Sequence, residues 1–402
     1  MTSWINRSEF KSVIIIILLI KIFYCLLIYN YLDYYPADDF YDEIASNLIS
    51  GNGYVIKAGQ SMNIYRPPVY LFLLAFLFKL FGIWYLPVIL FQILFDLITA
   101  GLIYYLGKSI FDQKTGLMAS LGFVLYPFFS VYTVRILTET LFTFLLALVI
   151  LSLYKAYLLK TKASHFLSGI TMGTGILCKT SLFYFPFFLF PVLVFYKKTG
   201  WTNYLFLIFG TFLVILPWSY RNYTVTNHFL LLGTGGGYNL WLGNHQATEG
   251  RDNDELNPEE ELRLKKEINR ITQGRGDPFT IENDKKFFKT AIMEMQGDPG
   301  NTLILWAKKI FRFWFDIFNK KNKLLGWVLI PGQALLLLLA LAGIYKSICH
   351  KKEIFLLLAV VIYFNLIHTI TAATFRYSIP IMPYVILLAV FGLGSLKIWE
   401  RN

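Results

Sequence analysis

The chain has 402 residues, of which 56% are hydrophobic, 18% aromatic and only 15% charged. This is too apolar for a soluble fold whose surface must meet water, so the sequence describes a polytopic integral membrane protein. Its net charge of +12 does not point to nucleic acid, because the excess Lys and Arg lie in short clusters between apolar runs, as the positive-inside rule expects. Cys25, Cys178 and Cys349 are odd in number, widely spaced and inside or beside apolar runs, which indicates neither a disulfide framework nor a zinc site.

Residues 13–32 form the first predicted span, preceded by Arg7 and Lys11. The run exceeds a signal-peptide apolar region and lacks a small-residue cleavage site, so it reads as an uncleaved anchor with its N-terminus in the cytoplasm. The segment 33–66 then lies outside. Further apolar runs at 85–106, 115–132, 138–158, 164–178, 182–197, 202–218, 325–345, 354–372 and 378–397 bring the total to about ten spans. Two more apolar stretches, 67–82 and 303–319, are assigned as interfacial helices by parity. Leaving both out places Lys108, Lys114, Lys155, Lys160, Lys197, Lys346, Lys351 and Lys397 on the cytoplasmic side. In the second stretch Lys308, Lys309 and Arg312 interrupt Trp306, Ile310, Phe313 and Trp314 in the manner of a helix lying among lipid headgroups. Lys21 and Lys179, lone cations in apolar runs, are assigned structural roles.

One large hydrophilic loop, 219–302, falls on the outer face. Within it Asn257-Pro258-Glu259-Glu260 supplies a cap, a first-turn proline and first-turn acids, predicting a helix to about Thr272. A second helix is predicted from near Thr280 to Gly297-Asp298-Pro299-Gly300. The organisation is therefore an N-terminal transmembrane module (1–218) carrying the outer loop 33–66, an extracytoplasmic helical loop (219–302), and an interfacial helix with a C-terminal transmembrane module (303–402). No internal repeat is evident.

The outer face collects Asp38, Asp39, Asp42, Glu43, Arg66, Arg135, Glu139, Arg221, His228 and Arg376 from separate parts of the chain. Charged groups at the mouth of a bilayer-embedded protein are expensive to keep without a use; any one of them alone reads more readily as a solvated or headgroup-contacting residue, and their convergence on one side is the stronger signal. Glu139 opens an apolar run, where the helix dipole favours an acid and Thr138 is available as cap; the other reading is a site carboxylate at membrane depth. Gly233-Thr234-Gly235-Gly236-Gly237 lacks the Lys-Ser/Thr of a phosphate loop, and its glycines are expected to permit a tight re-entry of the chain toward the membrane. The five histidines show no metal-binding spacing, so a divalent metal is neither required nor excluded by the sequence.

Four blocks together resemble the GT-C polytopic glycosyltransferases of the protein O-mannosyltransferase and aminoarabinose-transferase type. They are Asp38-Asp39-Phe40-Tyr41 with Gly51-Asn52-Gly53-Tyr54; Arg66-Pro67-Pro68-Val69-Tyr70; Thr138-Glu139; and Leu216-Pro217-Trp218-Ser219-Tyr220-Arg221-Asn222 joined to Asn239-Leu240-Trp241-Leu242-Gly243-Asn244, with Arg376-Tyr377-Ser378-Ile379-Pro380 closing the chain. The resemblance implies an all-α GT-C-like bundle and transfer of a hexosyl or pentosyl group from a polyprenyl-phosphate donor to a glycan, lipid or protein acceptor on the outer face of the cytoplasmic membrane. In its terms Asp38 is the general base with Asp39 the alternative, Glu139 orients hydroxyls of donor or acceptor, and Arg66 is the main phosphate contact. Arg221 and Arg376 are helpers, and Tyr41 joins them in substrate binding. With no later soluble domain, acceptor recognition is expected to fall to 219–302 or to the membrane cavity. A lipid or sugar transporter or flippase is the competing class, against which stand the lack of a repeat and of paired Gly/Pro-interrupted spans.

Overall fold

The computed structural model describes residues 19, 21–27, 39–197, 199–246, 248, 250–251, 256–274, 277–316 and 323–394. Among the described residues every regular element is helical. Most of the first predicted span, Asp38 and Lys397 lie outside them.

Each remaining predicted run corresponds to a helix or helix pair, but their lengths differ from expectation. By length and hydropathy five helices among the described residues can cross a membrane alone: Tyr85–Ile110, Glu139–Leu159, Trp201–Thr226, Leu329–Cys349 and Phe375–Leu393. The run expected at 115–132 is a pair, Gln113–Leu125 and Pro127–Thr133, bent by 55°. Pro127 causes the break, since it cannot donate to the preceding turn and drives Tyr126 out of the helical region. The run at 182–197 is likewise broken, its Phe185–Pro191 helix passing into a π-helical turn at Val192–Tyr196 after Pro191. Such irregular backbone is tolerated in a membrane protein where neighbouring helices cover it.

With lipid tails as apolar as the side chains themselves, helix association depends on close packing at small residues. The helices Lys162–Cys178 and Trp201–Thr226 meet at Gly169 and Gly210, where a Cβ on Gly169 would lie 2.2 Å from the Leu207 carbonyl oxygen. Any larger residue forces these helices apart. A buried pair, Lys21 with Asp96 at 2.8 Å, ties the first helix to Tyr85–Ile110, in keeping with the structural role assigned to Lys21.

The hydrophilic segment predicted at 219–302 contributes a small helical lid with its own core of Tyr238, Trp241, Leu242, Leu264, Phe287 and Ala291. Both helices predicted there are present. Pro258–Thr272 begins with a complete capping box between Asn257 and Glu260, and Ile281–Gly297 is capped by Thr280. A third lid helix, Gly236–Asn244, follows the glycine-rich loop.

The interfacial stretch is a helix, Pro299–Phe315, with Leu303, Ile304 and Phe311 exposed. One of its cations departs from expectation. Lys309 is fully buried and donates to the carbonyls of Gly243 at 2.9 Å and Thr371 at 2.8 Å and to Asn244 Oδ1 at 3.1 Å. The last carbonyls of Gly236–Asn244 and Phe355–Ile370 have no partner within their own helices and carry the negative end of each dipole, so an ammonium placed between them satisfies both. Lys309 thereby clamps the lid to the membrane bundle.

Candidate active site

Between the bundle and the lid lies a cavity of about 730 Å³. Its bundle wall carries Asp39, Tyr41, Arg66, Lys179 and Arg376, and its lid wall carries Thr234, Gly235, Gly236, Tyr238 and Asn239.

Backbone strain positions the first acid. Asp39 and Phe40 both adopt left-handed conformations, with φ of 66° and 61°, in a region that L side chains occupy only at some cost, of order 1–3 kcal/mol each. The turn leads directly into the helix Tyr41–Ile49, so the Asp39 carboxylate is set at the cavity wall. Arg66 is fixed by its own backbone, whose N–H donates to Asn63 Oδ1 at 2.9 Å and whose carbonyl accepts from Tyr54 Oη at 3.0 Å. Its guanidinium lies over the rings of Tyr41 at 5.0 Å and Tyr65 at 4.6 Å.

Five side chains then form one alternating ionic chain. Arg66 Nη2 donates to Asp39 Oδ1 at 2.9 Å, and Arg376 Nη2 donates to Asp39 Oδ2 at 2.9 Å. Arg376 Nε donates to Glu139 Oε1 at 2.6 Å, and Lys179 Nζ reaches the same oxygen at 3.0 Å. Three cations against two carboxylates leave this ionic chain with one net positive charge, and Asp42 and Glu43 line the same cavity. Burial alone would raise the Asp39 carboxyl, but Arg66 and then Arg376 hold it well below the usual carboxylate range. The Glu139 side chain is completely buried, whereas those of Arg66, Arg376 and Lys179 remain 14–16% exposed, so the three cations face the cavity and the glutamate stands behind them.

Farther along the same helix, Tyr85 Oη donates to Asp42 Oδ2 at 2.6 Å. Burial, followed by a hydrogen bond with Asp42, raises the Glu43 carboxyl to about 7. The glycine-rich loop closes the opposite wall. Thr234 N–H donates to the Ile64 carbonyl at 3.1 Å, and Gly235, with φ of 96°, packs so closely that a Cβ would fall 2.2 Å from the Tyr65 ring. This is the tight re-entry expected of the loop.

The structure thus brings together Asp39, Tyr41, Asp42, Glu43, Arg66, Glu139 and Arg376 from the residues singled out by sequence. Arg221 sits apart from the cavity: its Nη1 donates to the Asn63 carbonyl at 2.9 Å and its guanidinium covers Tyr54 and Trp218, bracing the loop that presents Arg66. Arg135 and His228 also lie off the cavity wall. Thr138 occupies the N-cap position of Glu139–Leu159, but its side chain makes no capping hydrogen bond; the acid is held by cations instead. Lys179, read from the sequence as structural, is part of the ionic chain. Its signal was present, since a lone cation ending an apolar run is costly without a partner, but the identity of that partner is a tertiary fact. Among the described residues no cluster of three or more His, Cys, Asp or Glu side chains is arranged to hold a metal ion.

Residues 65–220 match the family model described as dolichyl-phosphate-mannose-protein mannosyltransferase. No curated protein sequence matches the chain at a significant level. Among solved structures, the oligosaccharyltransferase AglB from Archaeoglobus fulgidus, in complex with an inhibitory peptide and a dolichol-phosphate, superposes with a TM-score of 0.59 at 12% identity, over 98% of this chain and 51% of that one. The apo form of the Archaeoglobus fulgidus oligosaccharyltransferase gives 0.58 at 14% identity over the same shares. ArnT from Cupriavidus metallidurans bound to undecaprenyl phosphate aligns at 13% identity over 97% of this chain and 79% of that one, with a TM-score of 0.44. The chain spans about half the length of the oligosaccharyltransferase, 51%. The likeness to that structure shows a shared all-helical fold, and the family match over residues 65–220 agrees with the resemblance read from the sequence.

Proposed function

We propose that this chain is a glycosyltransferase that moves a sugar from a polyprenyl-phosphate donor to a hydroxyl-bearing acceptor at the outer face of the membrane. One observation carries the reading: a net-positive chain of Arg66, Asp39, Arg376, Glu139 and Lys179 at the wall of a cavity between bundle and lid. The family match over residues 65–220 supports it.

When the bond between sugar and phosphate breaks, charge accumulates on the leaving phosphate. Donors fixed where that charge develops lower the barrier, because they need no rearrangement at the moment of reaction. Arg66 and Arg376 are such donors, and the planar guanidinium suits the oxygens of a phosphate. In the free protein both donate to Asp39. A carboxylate held that far below its usual range is a poor proton acceptor. An arriving phosphate competes for the same N–H groups, and as it takes them Asp39 loses the partners that depress it and gains basicity. The donor thus activates the base that serves its own transfer, and Asp38 stands next to it in sequence as the other candidate base. Glu139, completely buried, positions Arg376 and Lys179 rather than reaching a sugar hydroxyl, and Tyr41 supports Arg66 from beneath.

The reading is tested by mass spectrometry of envelope glycans and lipids from cells with and without the protein, together with transfer by detergent-purified protein from a lipid-linked sugar fraction of the same cells. A sugar missing in the deletion and restored by the purified protein is the expected result. Identical envelopes and no transfer would overturn it, because a transferase needs no sealed compartment to turn over whereas a flippase does.

A further inference from the structure

His368 and Ser181 are polar side chains on the cavity wall that stand outside the ionic chain. His368 is 6% exposed and lines the cavity. Its Nδ1 lies 3.2 Å from the Ala372 carbonyl oxygen, which can only accept, so the ring proton is on Nδ1 and in the neutral ring Nε2 carries a lone pair. That Nε2 is buried and has no hydrogen-bond partner among the described residues. The ring is held in place by stacking on Tyr377, with centroids 4.4 Å apart and planes inclined by 14°, and on Phe313 at 5.8 Å and 24°. Ser181 lines the same cavity, and its Oγ is also buried without a partner, while its backbone carbonyl is fixed by a hydrogen bond from Tyr363 Oη.

A buried polar atom left without a partner costs roughly 1–3 kcal/mol, and native structures carry few of them without a reason. Both residues line the same cavity as the cations. Tyr377, on which His368 stacks, directly follows Arg376, and Ser181 lies two positions after Lys179. The lone pair of the neutral imidazole repels phosphate oxygens, which argues against His368 as a second phosphate contact, and the Ser181 hydroxyl can both donate and accept. Their complement is a group that donates to Nε2 and exchanges a hydrogen bond with a hydroxyl, which describes a sugar hydroxyl. We infer that His368 and Ser181 form a hydroxyl-binding subsite that holds a sugar beside the phosphate-binding cations. This rests on the transferase reading above and adds to it where the polyol part of the substrate sits. The same chemistry is offered by the donor sugar and by a glycan acceptor.

The test compares wild type with His368→Phe, His368→Gln and Ser181→Ala, reading three quantities. These are the amount of glycan product in deletion cells carrying each variant, the binding of undecaprenyl phosphate to each purified protein, and the slow release of polyprenyl phosphate by water from sugar-loaded lipid extracted from the same cells. Product is expected to fall at least tenfold in His368→Phe and in Ser181→Ala and to recover in part in His368→Gln, which keeps an acceptor. Undecaprenyl phosphate, which has no sugar, should bind all variants within about twofold of wild type. A loss shared by hydrolysis assigns the subsite to the donor sugar, and a loss confined to transfer assigns it to the acceptor. Product within twofold of wild type in both His368→Phe and Ser181→Ala, or loss of undecaprenyl phosphate binding in step with loss of product in Ser181→Ala, would overturn the inference; the single buried oxygen removed in that variant keeps the test valid should His368→Phe misfold. If wild type itself neither makes a product nor binds undecaprenyl phosphate, the transferase reading falls and takes the subsite with it.

Discussion

Arg376 and Glu139 are joined by a 2.6 Å hydrogen bond across 237 positions of sequence. The bond couples the last membrane segment to the start of the helix Glu139–Leu159, and the same guanidinium also reaches Asp39 in the turn before the helix Tyr41–Ile49. Three parts of the chain therefore meet on one side chain. Removing one member of such a buried pair leaves its partner's charge uncompensated, which is costly in its own right.

Arg66 offers the simplest test of phosphate binding. A guanidinium can contact two phosphate oxygens at once, whereas an ammonium is a point charge on a flexible stem. Arg66→Ala is expected to lower turnover by about 10²–10³, and Arg66→Lys to retain part of the activity. Steady-state rates at varied donor concentration decide it; values for Arg66→Ala within about twofold of wild type would leave Arg66 as a mere headgroup contact, worth about 1 kcal/mol.

The paired acids are separated by a different readout. Asp39→Asn removes the carboxylate that occupies Arg66 and Arg376 in the free protein, so undecaprenyl phosphate should bind that variant more tightly while turnover falls by about 10²–10⁴. Asp38→Asn should leave the binding of undecaprenyl phosphate unchanged. If turnover falls in Asp38→Asn and survives in Asp39→Asn, the base lies one residue earlier, and if both variants are fully active the catalytic role of this loop is lost.

Glu43 gives a pH dependence whose sign follows from its surroundings. Its carboxyl is raised to about 7 by burial and then by its hydrogen bond with Asp42, against about 4.3 in an unfolded chain. The native state therefore holds this proton more tightly than the unfolded state does. The associated stability is fully present below about pH 4.3 and is lost as pH rises through about 7. Because only part of Glu43 is shielded and the residue as a whole stays open to solvent, screening keeps the effect small. Melting temperatures measured near pH 5 and near pH 8 should show a larger drop in wild type than in Glu43→Gln; parallel drops would remove the assignment.

Topology is open to labelling. Single cysteines introduced at Asn52 should react with a membrane-impermeant maleimide from outside, and those at Lys160 and Lys351 should not. Reaction at Lys351 would make Pro299–Phe315 a full span and reverse every segment after it.

Much of the molecule was legible in the chain because it depends on local physics. The capping box at Asn257 and Glu260 and the Thr280 cap are short-range hydrogen-bond patterns, and both helices begin where those residues place them. Composition alone required a membrane protein. Span lengths were less legible, since Pro127 and Pro191 break helices inside runs whose hydropathy is continuous. Lys309 shows the same limit from the other side: its spacing on Pro299–Phe315 suited a headgroup contact, yet two helix ends from elsewhere in the chain bury it.

For the site, the sequence by itself determined which charges the chain keeps beside its apolar runs, because an ionisable group beside lipid is costly wherever the fold puts it. Only the tertiary structure decided how they pair. Asp39, Arg66, Glu139, Lys179 and Arg376 become one ionic chain through contacts spanning 27 to 337 positions, and Arg221, equally charged and equally prominent in sequence, is turned aside to brace the loop at Asn63. His368 and Ser181 were invisible for the same reason: a polar atom is left without a partner only by the packing of everything around it, and no local pattern in the chain records that.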